Sequence, residues 1–306
     1  MKKYFVRLLI FVLLCFGLDR SLYFVLKQPS KHFDWRYGKV REEQLTTDIL
    51  LIGSSRGARG LNAEVFEAIS GKSTFNFCYP GSNLSFHLYC LETFLKYQKK
   101  KPQIVILNLD DDFSFKENQW LSFRTNMLYG HTKYEDVNEL LIAYGENHKL
   151  SAYFNILKIR GIHLGISQQK PQATDYISPK GSMPLFKKNE LCVFSTFVND
   201  TTSYQSDAEL PGYLAAYQSI QNLCAQNHIQ LIVCIPPHYG PIKQSFVERV
   251  KTLTAPEHQI LLPDTNQRAY LDSNYYYDPS HLRANGARIY SKEVALQINK
   301  YFQLKD

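Results

Sequence analysis

Cysteine is sparse and unpatterned in this chain: Cys15, Cys78, Cys90, Cys192, Cys224 and Cys234 are too few to staple 306 residues, and no two form a C-x-x-C pair. This excludes a disulfide scaffold and offers no zinc-ligand spacing. Cys15 lies in an N-terminal apolar run, which leaves an odd number for the rest and at least one cysteine unpaired or intermolecular; Cys234, inside the apolar run 231–235, reads as a small core residue. Long apolar runs are missing beyond the N-terminus, so the chain is not a polytopic membrane protein. Internal repeats and low-complexity tracts are missing as well. A basic face is also lacking. The net charge is +7, but residues 1–46 hold nine Lys/Arg against four Asp/Glu, leaving only +2 for the other 260 residues. Nucleic-acid binding needs its positive charge on the folded domain, so a nucleic-acid partner is set aside. With 44% hydrophobic and 21% charged residues, the composition is that of a globular protein, long enough for one large α/β domain or two small ones.

What is present begins at the N-terminus. Lys2, Lys3 and Arg7 precede the apolar run Leu8 to Leu18, and a second run, Leu22 to Leu26, follows Asp19, Arg20 and Ser21. As a helix, the 23 residues from Tyr4 to Leu26 are long enough to cross a bilayer, with the basic end in the cytoplasm and the remainder outside. Asp19 and Arg20 are costly in hydrocarbon yet tolerable near the outer interface. A cleaved signal peptide is the rival reading, with an 11-residue apolar run and Cys15-Phe16-Gly17 as a poor small-x-small site. A buried N-terminal helix is a third, and Leu14 argues against lipidation at Cys15. The expectation is an uncleaved anchor over residues 1–26 with the folded part on the extracytoplasmic side, periplasmic in a bacterium. Residues 27–47 are polar and aperiodic and read as a stem.

From Asp48 onward, short β-branched runs ending in turn residues alternate with helical patterns. The runs 48–53, 73–79, 103–109, 229–235 and 259–262 read as buried parallel strands; 62–70, 83–97, 209–226, 242–253 and 284–301 read as helices. Such alternation implies an α/β fold, a doubly wound, flavodoxin-like parallel sheet of about five strands. Residues 113–205 interrupt the pattern and are expected to be a mostly helical insertion within a domain spanning 48–306, a cap over the site. In such sheets ligands bind beyond the carboxyl ends of the strands. That directs attention to Gly53–Arg56, Tyr79–Asn83, Asp110–Asp112, Pro236–Tyr239 and the loop before the last helix.

The first strand runs into Gly53-Ser54-Ser55-Arg56, which sets a hydroxyl on a tight turn near backbone N–H groups able to hold an oxyanion. Far downstream stands Tyr277-Asp278-Pro279-Ser280-His281. A carboxylate three residues before an imidazole can bond one ring nitrogen and leave the other to take a serine proton. Asp-Pro-Ser can equally be a turn that starts a helix. Taken together and in this order, these elements resemble the SGNH/GDSL hydrolase family. The resemblance rests on Gly53-Ser54-Ser55, on Asn76 to Gly81 and on Asp278-Pro279-Ser280-His281, and covers about 47–303 without the insertion. It implies Ser55 rather than Ser54 as nucleophile, Asp278 and His281 as its partners, and the N–H groups of Ser55 and Gly81 as oxyanion donors. Among family members the chain looks most like membrane-anchored ones acting on surface polysaccharide. The expected activity is therefore esterase or O-acyltransferase chemistry on O-acyl groups, acetyl by preference, of a surface carbohydrate, without cofactor or metal. A non-catalytic carbohydrate-binding or assembly protein on the same fold is the alternative.

One motif departs from the family. Where members carry an asparagine after the third strand, this strand ends Asn108-Leu109-Asp110-Asp111-Asp112, and an acid facing an oxyanion would oppose it. Asn83 or Asn118 is the expected substitute donor, or the hole is reduced to two amides. Arg56 is read as an anion-holding or salt-bridging residue, and His238 and Tyr277 as substrate contacts. The acidic run Asp110–Asp112 reads as a solvated loop rather than a cation site, because no acids end the first strand.

Overall fold

The computed structural model describes residues 1–29, 33–166, 173–194, 203–264 and 266–303; parts of the expected stem and insertion, 30–32, 167–172 and 195–202, lie outside the described residues. The helices are α1 (Lys2–Leu26), α2 (Arg36–Glu42), α3 (Ser55–Gly60), α4 (Ala63–Ser70), α5 (Leu84–Tyr97), α6 (Glu135–Ala143), α7 (Pro211–Gln226), α8 (Gln244–Leu253) and α9 (Ala284–Gln303). The strands are β1 (Ile49–Gly53), β2 (Thr74–Asn76), β3 (Ile104–Asn108), β4 (Gln230–Cys234), β5 (Gln259–Leu261), β6 (Tyr276–Asp278) and β7 (His281–Leu282). Two compact units result, one made of 1–38 and 124–171, the other of 39–123 and 172–306.

In the larger unit five parallel strands stand in the order β2-β1-β3-β4-β5, the α/β arrangement expected from the alternation. A parallel strand covered by helices on both faces is apolar at every position, and every residue of β1 and β3 is buried. Side chains still alternate between faces. Ile49, Leu51, Ile104 and Ile106 share one cluster with Phe66 of α4 and Tyr290 of α9, while α5 and α7 cover the other face. Local signals fix the helix ends: Asn62 accepts the Val65 N–H at the start of α4, Gly71 ends that helix, Asn83 accepts the Phe86 N–H at the start of α5, and Pro211 opens α7. The chain winds from β1 to β2 on one side and then to β3 on the other, so the crevice between β1 and β3 is the switch point. Gly53 pairs with Asn108 there, which sets the loop after β1 beside the loop after β3.

Two elements differ from the sequence reading. The residues after β1 close at once into α3 instead of a loop, and β6 and β7 form a small antiparallel sheet ahead of α9. Part of the expected insertion also belongs to this unit as an irregular strap: Asn76 donates its N–H to Lys180 O (2.8 Å), Met183 to Ala58 O (2.7 Å) and Asn189 to Tyr277 O (3.0 Å). These bonds satisfy backbone on β2, α3 and β6 that would otherwise face water unpaired.

The smaller unit revises the expected stem and insertion. Residues 36–42 are helical rather than aperiodic, because Tyr37 is buried with its ring against His131 (4.7 Å between centroids) and Tyr134 (6.4 Å). Residues 124–166 are mostly short 3-10 turns around α6, not long helices, and they group with the N-terminal segment. Asp19 is one reason. Its carboxylate accepts the N–H groups of Asn155 (3.0 Å) and Ile156 (2.8 Å) and pairs with Arg20 (2.8 Å), which caps the turn 155–158. α1 is long and apolar enough to cross a membrane by length and composition.

Candidate active site

Ser55 is the first residue of α3, directly after β1, where a backbone N–H has no partner within its own helix. Gly53 makes the turn possible: its φ is +149°, and a Cβ there would lie 2.8 Å from the Asn108 Cβ. Ser54 is fully buried. Its hydroxyl bonds the Asp110 carboxyl and its oxygen accepts the Arg56 N–H (3.4 Å), so Ser54 serves as the N-cap of α3.

The Asp-Pro-Ser-His segment is a two-residue hairpin in which Asp278 and His281 face one another across β6 and β7. Asp278 Oδ1 accepts the N–H groups of Ser280 (2.8 Å) and His281 (2.9 Å), and the ring Nδ1 lies 2.8 and 2.9 Å from its two oxygens. Burial alone would raise the Asp278 pKa. The imidazole and the two N–H groups outweigh it and hold the carboxyl below its usual range. A carboxylate can only accept, so Nδ1 carries the hydrogen and Nε2 is left as acceptor; Nε2 lies 2.8 Å from Ser55 Oγ. The structure thus brings Ser55, His281 and Asp278 into one hydrogen-bonded line. Tyr239 donates its N–H to Pro279 O (2.8 Å), which ties the hairpin to the loop after β4.

Gly81 adopts φ +72°, a left-handed turn suited to glycine, and its N–H meets no acceptor among the described residues. The loop around it is held from below. Ser82 Oγ donates to Tyr79 O (2.6 Å) and lies 2.9 Å from His87 Nε2. Burial drives the His87 pKa down to about 3, so this imidazole is a neutral strut.

The other expected residues make the following contacts. Asn83 caps α5 and donates its amide to Tyr213 Oη (3.0 Å), and Asn118 accepts the Trp120 N–H (2.8 Å). Arg56 is only 7% exposed; it donates to Pro236 O (2.7 Å) and pairs with Asp111 (2.5 Å), so its guanidinium joins the ends of β1, β3 and β4, as the salt-bridging reading expects. Asp110 and Asp111 are correspondingly not a solvated loop. Asp110 is buried, and desolvation raises its pKa against the opposing effects of Arg56, Ser54 and His281. Asn108 lies fully buried inside β3, its amide 3.5 Å from Asp110. His238 Nδ1 stands 3.3 Å from Asp111, and the ring lines a cavity of about 420 Å³ whose wall is otherwise mostly apolar, with Pro237, Ile242, Val247, Leu262 and Leu271. Tyr277, on β6, is half-buried and bonded to the strap through its carbonyl. Sequence reading missed Arg59, which lies one helical turn after Ser55 and close enough for its charge to act on Asp278. Its signal was spacing along α3, a helix too short and glycine-rich to read.

No protein-family model matches the chain, and no curated protein matches it. Among solved structures, it is similar to a Bacteroides fragilis protein provisionally described as an acylhydrolase, at 11% identity over 90% of this chain and 99% of that one, with a TM-score of 0.39. It is also similar to an acetyl xylan esterase from the rumen bacterium Butyrivibrio proteoclasticus, at 9% identity over 85% of this chain and 66% of that one, with a TM-score of 0.35. Likeness at this level carries no chemistry across, and the chain's own side chains must supply it.

Proposed function

We propose that the chain is an SGNH-type serine enzyme, an esterase or O-acyltransferase acting on O-acyl groups of a surface carbohydrate through an acyl-enzyme, with acetyl as the acyl group that the family resemblance suggests. The supporting observation is the unbroken set of contacts from Ser55 Oγ through His281 to Asp278, at 2.8 Å on each side of the imidazole. In the first half-reaction Ser55 Oγ attacks the ester carbonyl while His281 Nε2 takes its proton. The N–H groups of Ser55 and Gly81 hold the oxyanion, and the same proton passes to the departing sugar oxygen as the C–O bond breaks. In the second, water or a sugar hydroxyl gives its proton to His281 and attacks the acyl carbon; as the bond from the acyl carbon to Ser55 Oγ breaks, His281 returns that proton to Oγ. Asp278 keeps the imidazole in one tautomer and stabilises its charged form throughout. Substrate would approach Ser55 Oγ at the strand ends, with Tyr277 on the hairpin and His238 after β4 as its proposed contacts; the cavity of about 420 Å³ that His238 lines has none of Ser55, Gly81, Asp278 or His281 in its wall. With α1 as an uncleaved anchor, the reaction would take place on the extracytoplasmic face.

One observation favours a second reading, a glycan-binding protein without turnover. The loop after β3 carries the buried acid Asp110, where the resembled family carries a neutral asparagine. Hydrolysis of p-nitrophenyl acetate decides between the two. The enzyme reading requires turnover that falls about a thousandfold in His281→Ala with the melting temperature nearly unchanged. Absence of turnover in the unaltered protein favours the binding reading.

A further inference from the structure

Seven large apolar side chains stand in or near water between residues 150 and 166. Four of them, Tyr153, Phe154, Ile156 and Leu157, fall within five residues, and Tyr153 is 69% exposed; Leu150 precedes them in sequence, and Leu164 and Ile166 follow. A single exposed leucine is ordinary on a soluble surface, whereas a dense apolar cluster marks a surface that meets something else.

The bonds to α1 indicate what it meets. Asp19 accepts the N–H groups of Asn155 and Ile156, and Arg20 donates to Tyr153 O (3.3 Å), so the cluster is fixed at the level of Asp19 along the helix. Asp19 lies seventeen residues beyond Lys2 and sixteen beyond Lys3, about 24–26 Å at the rise of an α-helix. That is close to the roughly 30 Å thickness of a bilayer's hydrocarbon core. With Lys2 and Lys3 at one interface, Asp19 therefore reaches the other, and the cluster reaches it too. The aromatic side chains of Tyr153 and Phe154, with Lys149 and Arg160 nearby in sequence, match the mixture that settles at headgroup level. The same arrangement explains Asp19 and Arg20 within an apolar helix: their charges are paired with each other and with backbone just where the hydrocarbon ends.

We propose that residues 150–166 form a membrane-docking surface, lying in the headgroup and upper acyl region of the extracytoplasmic leaflet that α1 crosses. The inference rests on the anchor reading of α1 and adds a second, monotopic attachment to it. The helix fixes the unit to the bilayer, and the docking surface fixes its tilt and depth.

The test uses the full chain in phosphatidylethanolamine and phosphatidylglycerol nanodiscs, with Cys15→Ser and Cys192→Ser as background and single nitroxide labels at Leu13→Cys, Tyr153→Cys, Leu164→Cys or Leu191→Cys. Collision with dissolved oxygen, which concentrates in lipid, is compared with collision with a water-soluble nickel chelate. Labels at positions 13, 153 and 164 should show an oxygen-to-nickel ratio several-fold above that at position 191, an exposed site on the larger unit. A high ratio at 13 with water-like ratios at 153 and 164 overturns the docking surface and leaves the anchor standing. A water-like ratio at 13 removes the anchor and the docking surface together. Low access to both reagents at 153 and 164 means that protein covers the cluster, a second copy or a partner, and also overturns the proposal.

Discussion

Arg56 and Asp111 form an ion pair at 2.5 Å across the switch point of the sheet, between the residue after the candidate nucleophile and the loop after β3. Asp111 reaches it from a left-handed backbone conformation (φ +48°) that side-chain-bearing residues seldom adopt, so the contact is held against local backbone preference. Burial would raise the Asp111 pKa, yet Arg56 first and His238 second hold it below the usual carboxylate value. Arg56→Met should therefore destabilise the larger unit by about 3 kcal/mol, because it strands a carboxylate and removes the bond to Pro236 O. Urea unfolding measures this. A loss below about 0.5 kcal/mol, typical of an exposed position, would mean that the pair is not structural.

Asp110 gives a prediction with a definite sign in pH. Its pKa is raised in the fold, chiefly by burial, above the value near 3.8 that an unfolded chain retains. The folded state then binds more protons than the unfolded one between these two values, and stability falls as pH rises through that window. Asp110→Asn removes the effect and still offers an oxygen to the Ser54 hydroxyl. Its stability relative to the unaltered protein should increase as the pH rises above about 4, without loss of turnover. A margin that is flat or shrinks with pH would show that the carboxylate is ionised without penalty.

Much of the fold was legible because the sheet is covered on both faces. Strands such as 49–53 and 104–108 are apolar at every position and bounded by turn residues, and the helices between them carry Asn or Pro at their starts. Ser55, Asp278 and His281 were legible as types at the ends of elements, while their meeting was not, since it depends on a crossover connection and a hairpin 226 residues apart in sequence. The cross-strand geometry of Asp278 and His281 was hidden by the brevity of β6 and β7, too short to show a period of two. Asp110 and Asp111 read as a solvated loop for a related reason, although a salt bridge from Arg56 was among the readings. Charged residues in turns look solvent-facing until tertiary structure buries them together, and nothing local distinguishes a buried pair from an exposed one. The smaller unit was the least legible. Its irregular turns have no period, and Asp19 draws them to α1 through backbone N–H groups that leave no mark in sequence.

Activation of Ser55 by His281 is read out by labelling with a fluorophosphonate probe and mass spectrometry of the modified peptide. The reagent reports an activated serine whatever the natural substrate. An activated Ser55 gives a single adduct that disappears in Ser55→Ala and is strongly reduced in His281→Ala, with Ser54 unmodified because it is buried and bonded to Asp110. An adduct on Ser54, labelling that survives Ser55→Ala, or a folded protein that takes no label would contradict it.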